Sequence, residues 1–332
     1  MGRRFGSRSS WTPRKRYAPS RPRAVESPPI WGFSVAITTM NPHSSAVRPS
    51  VGVVVPFRGD RTAANRMLAA LGCLDLRDGD EVIVADNTAD GAARGVADAR
   101  IRVVAAARER SSYHARNAGA RAATNEWILF LDADCSPQLG LLAAYFGEPI
   151  AEGCGAVAGQ ILGDPDQTSF ATRYARSRKL FDHADGLIRA DGGGAAAGNL
   201  LVRRAAFERI GGFTEGIRSG GDLDLCRRLR DAGWQLGFRP RALVHHRHRA
   251  SLPSLLGAVA RYGAGAHWLN ERYPGSSPPW PLRLGLASVA RDVVGHVRAG
   301  RIEDAAFRGI DGVGLVAHRI GYATGNTAES LN

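Results

Sequence analysis

The chain has 332 residues, 44% of them apolar, and a formal net charge of +13. This length holds one large α/β domain or two smaller ones, and the apolar share suffices for a sizeable core. Four widely spaced cysteines form neither a zinc signature nor a disulfide framework, which favours a reducing cytoplasm. Because the sequence contains no run of about 18 uncharged apolar residues and no apolar signal-peptide core, we expect neither a spanning helix nor a secretory signal.

The positive charge is concentrated in residues 1–49, which are rich in arginine, proline and serine. Residues 1–50 carry nine Arg or Lys side chains against Glu26 alone, so +8 of the net +13 lies there. We predict a disordered basic tail without a catalytic role, the alternative being contact with anionic lipid or nucleic acid. The rest of the chain is only mildly basic, which disfavours a nucleic-acid partner for it.

Strands and helices alternate in the pattern that begins after residue 50. Strands are predicted at 51–55, 81–85, 101–104 and 127–131, with helices around 67–71 and at 113–124. This order predicts a mostly parallel, Rossmann-like central sheet flanked by helices. Neither of the first two strand-to-helix turns carries a dinucleotide fingerprint or a Walker loop, so both kinds of phosphate site are disfavoured.

Two acids, Asp132 and Asp134, directly follow the apolar strand at 127–131. Open α/β sheets bind ligands at the carboxyl ends of their strands, so we expect function at this point. If the strand stays extended through both acids, their side chains point to the same side and suit Mg²⁺ or Mn²⁺ carrying a diphosphate. The alternative is a polar strand end that caps the next turn.

Further elements follow this acidic pair. Helices are predicted at 139–146 and 205–210 and from about residue 222, and strands at 156–159 and around 243–244. The glycine-rich stretch 192–198 either lets backbone approach a ligand closely or forms a flexible loop. Amphipathic helices are predicted in 282–297 and 302–320, and they either pack onto the preceding domain or lay a basic face on a membrane.

Several motifs occur in a fixed order along the chain. They are Val55-Pro56, Asp86, Ala115-Arg116-Asn117-Ala118-Gly119, Leu129-Phe130-Leu131-Asp132-Ala133-Asp134, Arg203-Arg204, Gly211-Gly212-Phe213 and Gly221-Asp222-Leu223-Asp224-Leu225-Cys226. Together they resemble the inverting family-2 glycosyltransferases of the GT-A fold. The resemblance implies a glycosyltransferase domain at 50–275, between the tail at 1–49 and a helical extension at 276–332.

The same resemblance implies a site for a nucleotide-diphospho-sugar donor. Asp86 matches the family's acid that reads the base or ribose, with an Asp-Asn turn as the alternative. Arg110 and Arg116 match basic positions near the diphosphate, and a solvated helix position is the alternative for Arg116. The implied donor-binding residues are Pro56, Asp86, Arg110, Arg116, Asn117 and Asp132.

A divalent cation, Mn²⁺ or Mg²⁺, is part of what the resemblance implies. In that interpretation Asp134 ligates the cation directly, while Asp132 contacts the ribose or a metal-bound water. His246 matches a third protein ligand, with His245 or a plain basic loop as alternatives. The cation would neutralise charge on the departing nucleoside diphosphate. The implied metal ligands are therefore Asp134, Asp132 and His246.

Asp222 matches the family's general base, which takes a proton from the acceptor hydroxyl. Its place in the first turn of a predicted helix favours the carboxylate form. The alternatives are a purely structural helix acid and Asp224 as the base. One position departs from the family pattern, because the usual glutamate is Gly221 here, and we expect the geometry of the acceptor to differ accordingly.

The predicted function is a metal-dependent inverting glycosyltransferase, hexosyltransferase-like, acting on a glycan, glycolipid or polyprenyl-linked hydroxyl. We expect a role in cell-envelope or polysaccharide biosynthesis, in the cytoplasm, with peripheral contact to the inner face of an anionic membrane. Two alternatives remain. A sugar-nucleotide nucleotidyltransferase usually has a glycine-rich loop after the first strand, which residues 56–60 match poorly. A basic nucleic-acid-binding protein needs a charged face on the folded part of the chain.

Overall fold

The computed structural model describes residues 48–95, 100–181, 193–279 and 281–330. Within these ranges a central sheet contains eight strands. In chain order they are β1 Val51–Phe57, β2 Glu81–Asp86, β3 Ile101–Ala105, β4 Trp127–Leu131, β5 Cys135–Pro137, β6 Cys154–Gly163, β7 Asn199–Arg203 and β8 Gln235–His246. In space their order is β3-β2-β1-β4-β7-β6-β8-β5. Four of the neighbouring pairs are parallel and three antiparallel.

Helices cover both faces of this sheet. They are α1 Arg61–Leu71, α2 Ser112–Ala122, α3 Leu141–Tyr145, α4 Phe170–Ser177, α5 Arg204–Arg209, α6 Gly221–Asp231, α7 Leu252–Arg272, α8 Leu282–Arg298 and α9 Ile302–Tyr322. Local signals start several of them, as where the Asp60 side chain accepts a hydrogen bond from the backbone of Ala63 and caps α1. The predicted mixed α/β fold, with helices flanking a central sheet, is confirmed.

The strands β1 and β4 are buried on both faces, which explains their unbroken apolar runs. Val53, Val55 and Leu129 lie in one core layer, with Met67 of α1. Val54 and Phe130 face the opposite layer. Because a fully buried Phe fills space on which both the sheet and the helices depend, truncating Phe130 to Ala would cost about 3–5 kcal/mol.

The carboxyl ends of β1, β2 and β4 lie at one edge of the sheet, where the parallel pairing aligns them. Phe57 at the end of β1 pairs with Asp86 at the end of β2. The turn after β4 and the start of α6 complete this edge. The fold therefore collects the acids that the sequence singled out.

Several elements differ from the predicted ones. The helices α4 and α7 were not predicted, and β8 begins eight residues before the expected position near Leu243. Gly237 and Pro240 make β8 hard to recognise in the sequence, and two register shifts interrupt its pairing with β6. Arg48, assigned to the basic tail, is buried and forms an ion pair of 2.5 Å with Asp80. The rest of the predicted tail, residues 1–47, lies outside the described residues.

The two predicted C-terminal helices are present as α8 and α9. Phe307 and Ile310 of α9 pack against Tyr174 and Leu255, whereas in α8 only Val289 is buried. Both helices leave apolar side chains exposed, namely Leu284, Leu286, Val294, Val297, Ile302, Val313, Val316 and Ile320. No helix among the described residues is long and apolar enough to span a membrane.

Candidate active site

Asp132 and Asp134 lie in a turn, which corrects the expectation that β4 stays extended through them. The strand ends at Leu131, and the backbone of Cys135 donates a 3.0 Å hydrogen bond to the carbonyl of Asp132. The backbone of Asp132 donates in turn to the carbonyl of Gly198 at 3.2 Å. A Cβ on Gly198 would lie 2.9 Å from Oδ2 of Asp132, so the glycine-rich stretch approaches this acid closely.

Asp134 is brought to His246 by the short strand β5. Cys135, the first residue of β5, pairs with His246 at the end of β8. Nε2 of His246 consequently lies 3.5 Å from Oδ1 of Asp134. Desolvation by the surrounding protein and the nearby charge of Asp132 raise the pKa of Asp134, while His246 opposes this. Solvent moderates the shift, because 55% of the Asp134 side chain is exposed.

Arg116 of α2 is a buried cation that lies between two acids. Its Nη2 donates to Oδ1 of Asp132 at 2.6 Å, and its Nη1 lies 3.8 Å from Oδ1 of Asp222. The guanidinium also lies over the rings of Tyr113 and Phe213, 5.6 Å from each centroid. Arg116 is therefore fixed by packing as well as by charge, and a solvated helix position is excluded.

Asp222 lies in the first turn of α6, and its two carboxylate oxygens have different surroundings. Its Oδ2 accepts a 3.1 Å hydrogen bond from the backbone of Ala197, whereas its buried Oδ1 has no hydrogen-bond partner among the described residues. Burial raises the pKa of Asp222, and the charge of Arg116 opposes the rise. A carboxylate with raised basicity and a free oxygen can accept a proton.

Gly221, the position where the family usually has glutamate, packs against an aromatic ring. A Cβ at Gly221 would lie 2.8 Å from ring atoms of Tyr113. Gly220 before it has a φ of 87°, in the left-handed region that favours glycine. The start of α6 therefore has no side chain at residues 220 and 221, and Tyr113 occupies the space that a side chain at residue 221 would need.

Asp224, the alternative base, is fully buried and engaged on all sides. Its Oδ2 accepts from Arg228 and from the Thr214 hydroxyl, and its Oδ1 accepts from the Tyr273 hydroxyl at 2.8 Å. Burial alone would raise the pKa of Asp224, but these hydrogen bonds outweigh it and hold the pKa below its usual value. Asp224 thus ties α6 to neighbouring segments and has no free oxygen facing a ligand.

The predicted donor-binding residues take different environments. Asp86 is buried and accepts from the backbone and hydroxyl of Thr88 and from the backbone of Ala93, as in the turn that was the alternative. Asn117 uses both amide hydrogens, on the carbonyl of Phe213 and on Glu215.

The two remaining donor positions lie at the same edge of the molecule. Arg110 donates to Glu329 at 2.7 Å and is half exposed. Pro56 lies in β1 opposite Ala85. Donor contacts by Pro56, Asp86, Arg110 and Asn117 stay predictions.

The arrangement fits a divalent cation held by two protein side chains. Among the described residues no group of three His, Cys, Asp or Glu side chains could hold a metal ion. Asp132, also a predicted metal ligand, is already paired with Arg116 through Oδ1. Asp134 and His246 still offer the oxygen and imidazole nitrogen that Mn²⁺ accepts, and the raised pKa of Asp134 favours a nearby cation. His245 belongs to the neighbouring position of β8 and pairs with Ser136.

Two residues beside the site were not predicted. Asn326, near the chain end, accepts from the backbone of Ser219 at 3.1 Å and donates to the carbonyl of Ser219 at 2.9 Å. It thereby holds the loop that leads into α6. The ring of His248 lies behind His246, with their Nδ1 atoms 3.2 Å apart. Burial lowers the pKa of His248 to about 4, so the ring is neutral. The buried asparagine had no local sequence signal, whereas the run of histidines and arginines at 245–249 did.

The chain resembles known glycosyltransferases in sequence and in fold. Residues 53–211 match the family described as glycosyl transferase family 2. A pre-mycofactocin glycosyltransferase of Mycobacterium tuberculosis is 30% identical over 255 residues, covering 74% of this chain and 52% of that protein. Glycosyltransferase AglE of Haloferax volcanii is 26% identical over 234 residues, covering 68% of this chain and 76% of that protein. The solved mannosyltransferase PcManGT of Pyrobaculum calidifontis, in complex with GDP-Man and Mn²⁺, superposes with a TM-score of 0.57 at 21% identity, covering 85% of this chain and 89% of that one.

The sequence matches and the structural match support different conclusions. The chain spans about half the length of the mycobacterial relative. The likeness to the mannosyltransferase, at 21% identity, shows the fold. The family match disfavours a nucleotidyltransferase and a nucleic-acid-binding protein, because it covers β1 through α5 and includes the acidic turn. The chain therefore carries a family-2 glycosyltransferase domain at residues 53–211.

Proposed function

We propose that the protein transfers a sugar from a nucleotide-diphospho-sugar to an acceptor hydroxyl, with inversion at the anomeric carbon and with help from a divalent cation. The observation that carries the proposal is the free Oδ1 of Asp222, which is buried next to the Arg116–Asp132 pair. A proton acceptor that lies next to a diphosphate-binding edge suits attack by a hydroxyl on a donor bound there.

Asp222 is the general base of this account. Burial raises its pKa, which makes it a better proton acceptor than a solvated aspartate. The charge of Arg116 opposes that rise and favours the ionised carboxylate, which is the form that accepts a proton. The hydrogen bond from the backbone of Ala197 fixes Oδ2 and leaves Oδ1, 3.8 Å from Nη1 of Arg116, without a hydrogen-bond partner among the described residues. Arg116 therefore adjusts the pKa of Asp222, while the backbone N–H of Ala197 orients its carboxylate.

Asp134 and His246 would hold the cation, Mn²⁺ or Mg²⁺. When bound, the cation supplies charge neutralisation for the departing nucleoside diphosphate. Mn²⁺ is the first cation to test, because the structural neighbour was solved with it. Asp132 keeps the role of contacting the ribose or a bound water, since Arg116 holds its Oδ1 and leaves Oδ2 beside Gly198. Pro56, Asp86, Arg110, Arg116 and Asn117 complete the proposed donor side.

The acceptor is a hydroxyl on a glycan, glycolipid or polyprenyl-linked carrier, made or extended at the inner face of a membrane. The exposed apolar side chains of α8 and α9 support contact with such a surface. Arg283, Arg291, Arg298 and Arg301 are exposed on the same hairpin and would attract anionic lipid. All four cysteines are free thiols, which suits the cytoplasmic side.

A donor screen tests the proposal. UDP-, GDP- and dTDP-sugars are titrated by calorimetry into the full chain with Mn²⁺ and again with EDTA. We expect one nucleotide class to bind only with the cation, and Asp134→Ala to abolish that binding. His245→Ala is the matched control, because it changes the adjacent histidine of β8 that pairs with Ser136. Equal affinity in EDTA would contradict the role of the cation, and no binding in any class would contradict the proposed donor.

A further inference from the structure

A second concave site lies behind His246, on the side away from Asp134. It is a cavity of about 190 Å³ between the end of β6, the end of α4 and the residues after β8. Its polar lining comes from Arg176, Lys179 and His248, and Gly163 forms part of its wall. A Cβ on Gly163 would lie 2.6 Å from Nε2 of His248, so the glycine keeps the space in front of that nitrogen open. We call this site the His248 cavity.

The imidazole of His248 is fixed from the other side and presents one nitrogen to the cavity. The residue is 5% exposed. Its backbone N–H donates to Oε1 of Gln167 at 2.7 Å, and its carbonyl accepts from Nε2 of Gln167 at 2.8 Å. Its Nδ1 lies 3.2 Å from Nδ1 of His246. Its Nε2 is buried and has no hydrogen-bond partner among the described residues.

The contact between the rings of His246 and His248 determines whether Nε2 of His248 carries a proton. Under the proposed function, Nε2 of His246 would ligate the cation, which would place the proton of the His246 ring on Nδ1. That proton is donated to Nδ1 of His248, which leaves the proton of His248 on Nε2. The cavity therefore receives an N–H donor from a buried ring. A buried donor without a partner is costly, and a ligand that accepts its hydrogen bond removes the cost.

Positive charge surrounds this donor. Arg176 uses Nη1 on the carbonyls of Asp164 and Pro165, and Lys179 is exposed at the rim. The nearest opposing carboxylate, Asp164, lies 3.6 Å from Arg247 and accepts from the backbone of Asp166. Two cations and an N–H donor form a set that recognises a phosphate group.

The position of the cavity indicates which substrate carries the phosphate group. Donor contacts are expected at the ends of β1 and β2, whereas the cavity lies on β6 and β8, across β4 and β7 from them. We propose that the His248 cavity binds a phosphate group of the acceptor, a proposal that rests on the function given above. The phosphate belongs either to a lipid carrier or to a phosphorylated sugar.

Binding of inorganic phosphate to the full chain is the first test. The titration is done by ³¹P NMR with Mg²⁺ and saturating nucleoside diphosphate, so that the donor site is already filled. Lys179→Gln removes a charge at the rim, and His248→Phe removes the N–H while keeping a ring. We expect each to weaken phosphate binding on the order of tenfold or more. Arg173→Ala is the control, because Arg173 is on the same helix and pairs with Glu303 outside the cavity.

Acceptor analogues then separate the two sources of phosphate. Farnesyl phosphate and glucose 6-phosphate are compared as ligands, with acetate as a plain anion. Tighter binding of farnesyl phosphate assigns the cavity to a lipid carrier, and tighter binding of the sugar phosphate assigns it to a phosphorylated sugar. Phosphate binding that is unchanged in Lys179→Gln and His248→Phe, or acetate bound as tightly as phosphate, would overturn the proposal. Donor binding is measured on the wild type and on Lys179→Gln, which does not touch His246, so that absence of donor binding there would count against the proposed function and not against the cavity.

Discussion

Nη2 of Arg116 donates to Oδ1 of Asp132 at 2.6 Å, and the same guanidinium lies beside Asp222. A single buried side chain therefore links the acid of the donor edge to the proposed base. Without the positive charge of Arg116, the negative charges of Asp132 and Asp222 would lie in a poorly solvated space with less opposite charge beside them. Arg116 thus couples the two halves of the site electrostatically.

Replacing Arg116 by Gln should shift the pH dependence of turnover. Arg116 lowers the pKa of Asp222 against the effect of burial, so its loss lets that pKa rise further. The acid limb of the kcat profile should then move to higher pH. Arg121→Gln is the control, since Arg121 is on the same helix and 63% of its side chain is exposed. An unchanged profile in Arg116→Gln would show that the guanidinium does not tune the base.

The raised pKa of Asp222 predicts a gain of stability on its removal. Between the unfolded pKa and the higher folded pKa, the folded state binds more protons, so stability falls as pH rises through that interval. Asp222→Asn should therefore melt at a higher temperature than the wild type at pH 8, with the difference vanishing in acid. Calorimetry across pH measures this. Asp231→Asn, on the exposed end of the same helix, should stay within about 0.5 kcal/mol of wild type. A lower melting temperature for Asp222→Asn at pH 8 would refute the argument.

Strands could be predicted from the sequence where an apolar run corresponds to burial on both faces of the sheet. The apolar runs of β1 and β4 could be predicted because both faces of those strands are buried. The strand β8 could not be predicted, because glycine, proline and arginine interrupt its apolar pattern and its pairing with β6 shifts register at two points. The meeting of Asp134 and His246 depends on a three-residue strand pairing with residues more than a hundred positions away.

The distinction between Asp222 and Asp224 was likewise outside the reach of local pattern. The two acids are neighbours in the first turn of α6, and nothing in their spacing separates them. Thr214 and Tyr273 bind Asp224 and leave Asp222 free, and both come from other parts of the chain. Tertiary contacts therefore decide which carboxylate can react.

Gly221→Ala should destabilise the protein. The added Cβ would overlap the Tyr113 ring, which is itself packed on Phe213 and Arg116. Overpacking of this kind costs about 1–3 kcal/mol. Gly257→Ala in α7 is the matched control, because its Cβ would meet no atom within 4 Å, and alanine there should stabilise by roughly 0.5–1 kcal/mol. Denaturant unfolding measures the free energy of unfolding of both variants and of the wild type. If Gly221→Ala were as stable as the wild type, the start of α6 would accommodate a Cβ at this position.

Asn326→Ala should reduce turnover without weakening donor binding. The change leaves the N–H and the carbonyl of Ser219 without partners, at a cost of about 1–3 kcal/mol, and loosens the loop before Asp222. Asn326→Asp keeps the acceptor and should restore part of kcat, whereas the exposed Thr327→Ala should match wild type. Steady-state kinetics with donor titration separate the effects. Loss of stability with kcat unchanged would give Asn326 a structural role alone.

The assignment of Asp222 as general base is tested most directly by comparing kcat for Asp222→Asn and Asp224→Asn, with donor affinity measured in parallel. Asp222→Asn removes the proton acceptor while keeping the side-chain shape, so kcat should fall by roughly 10²–10⁴ with donor Kd nearly unchanged. Asp224→Asn should lower stability and affect kcat less, because Asp224 is held by Arg228, Thr214 and Tyr273. Turnover within a few-fold of wild type in Asp222→Asn, with Asp224→Asn inactive but folded, would contradict the account.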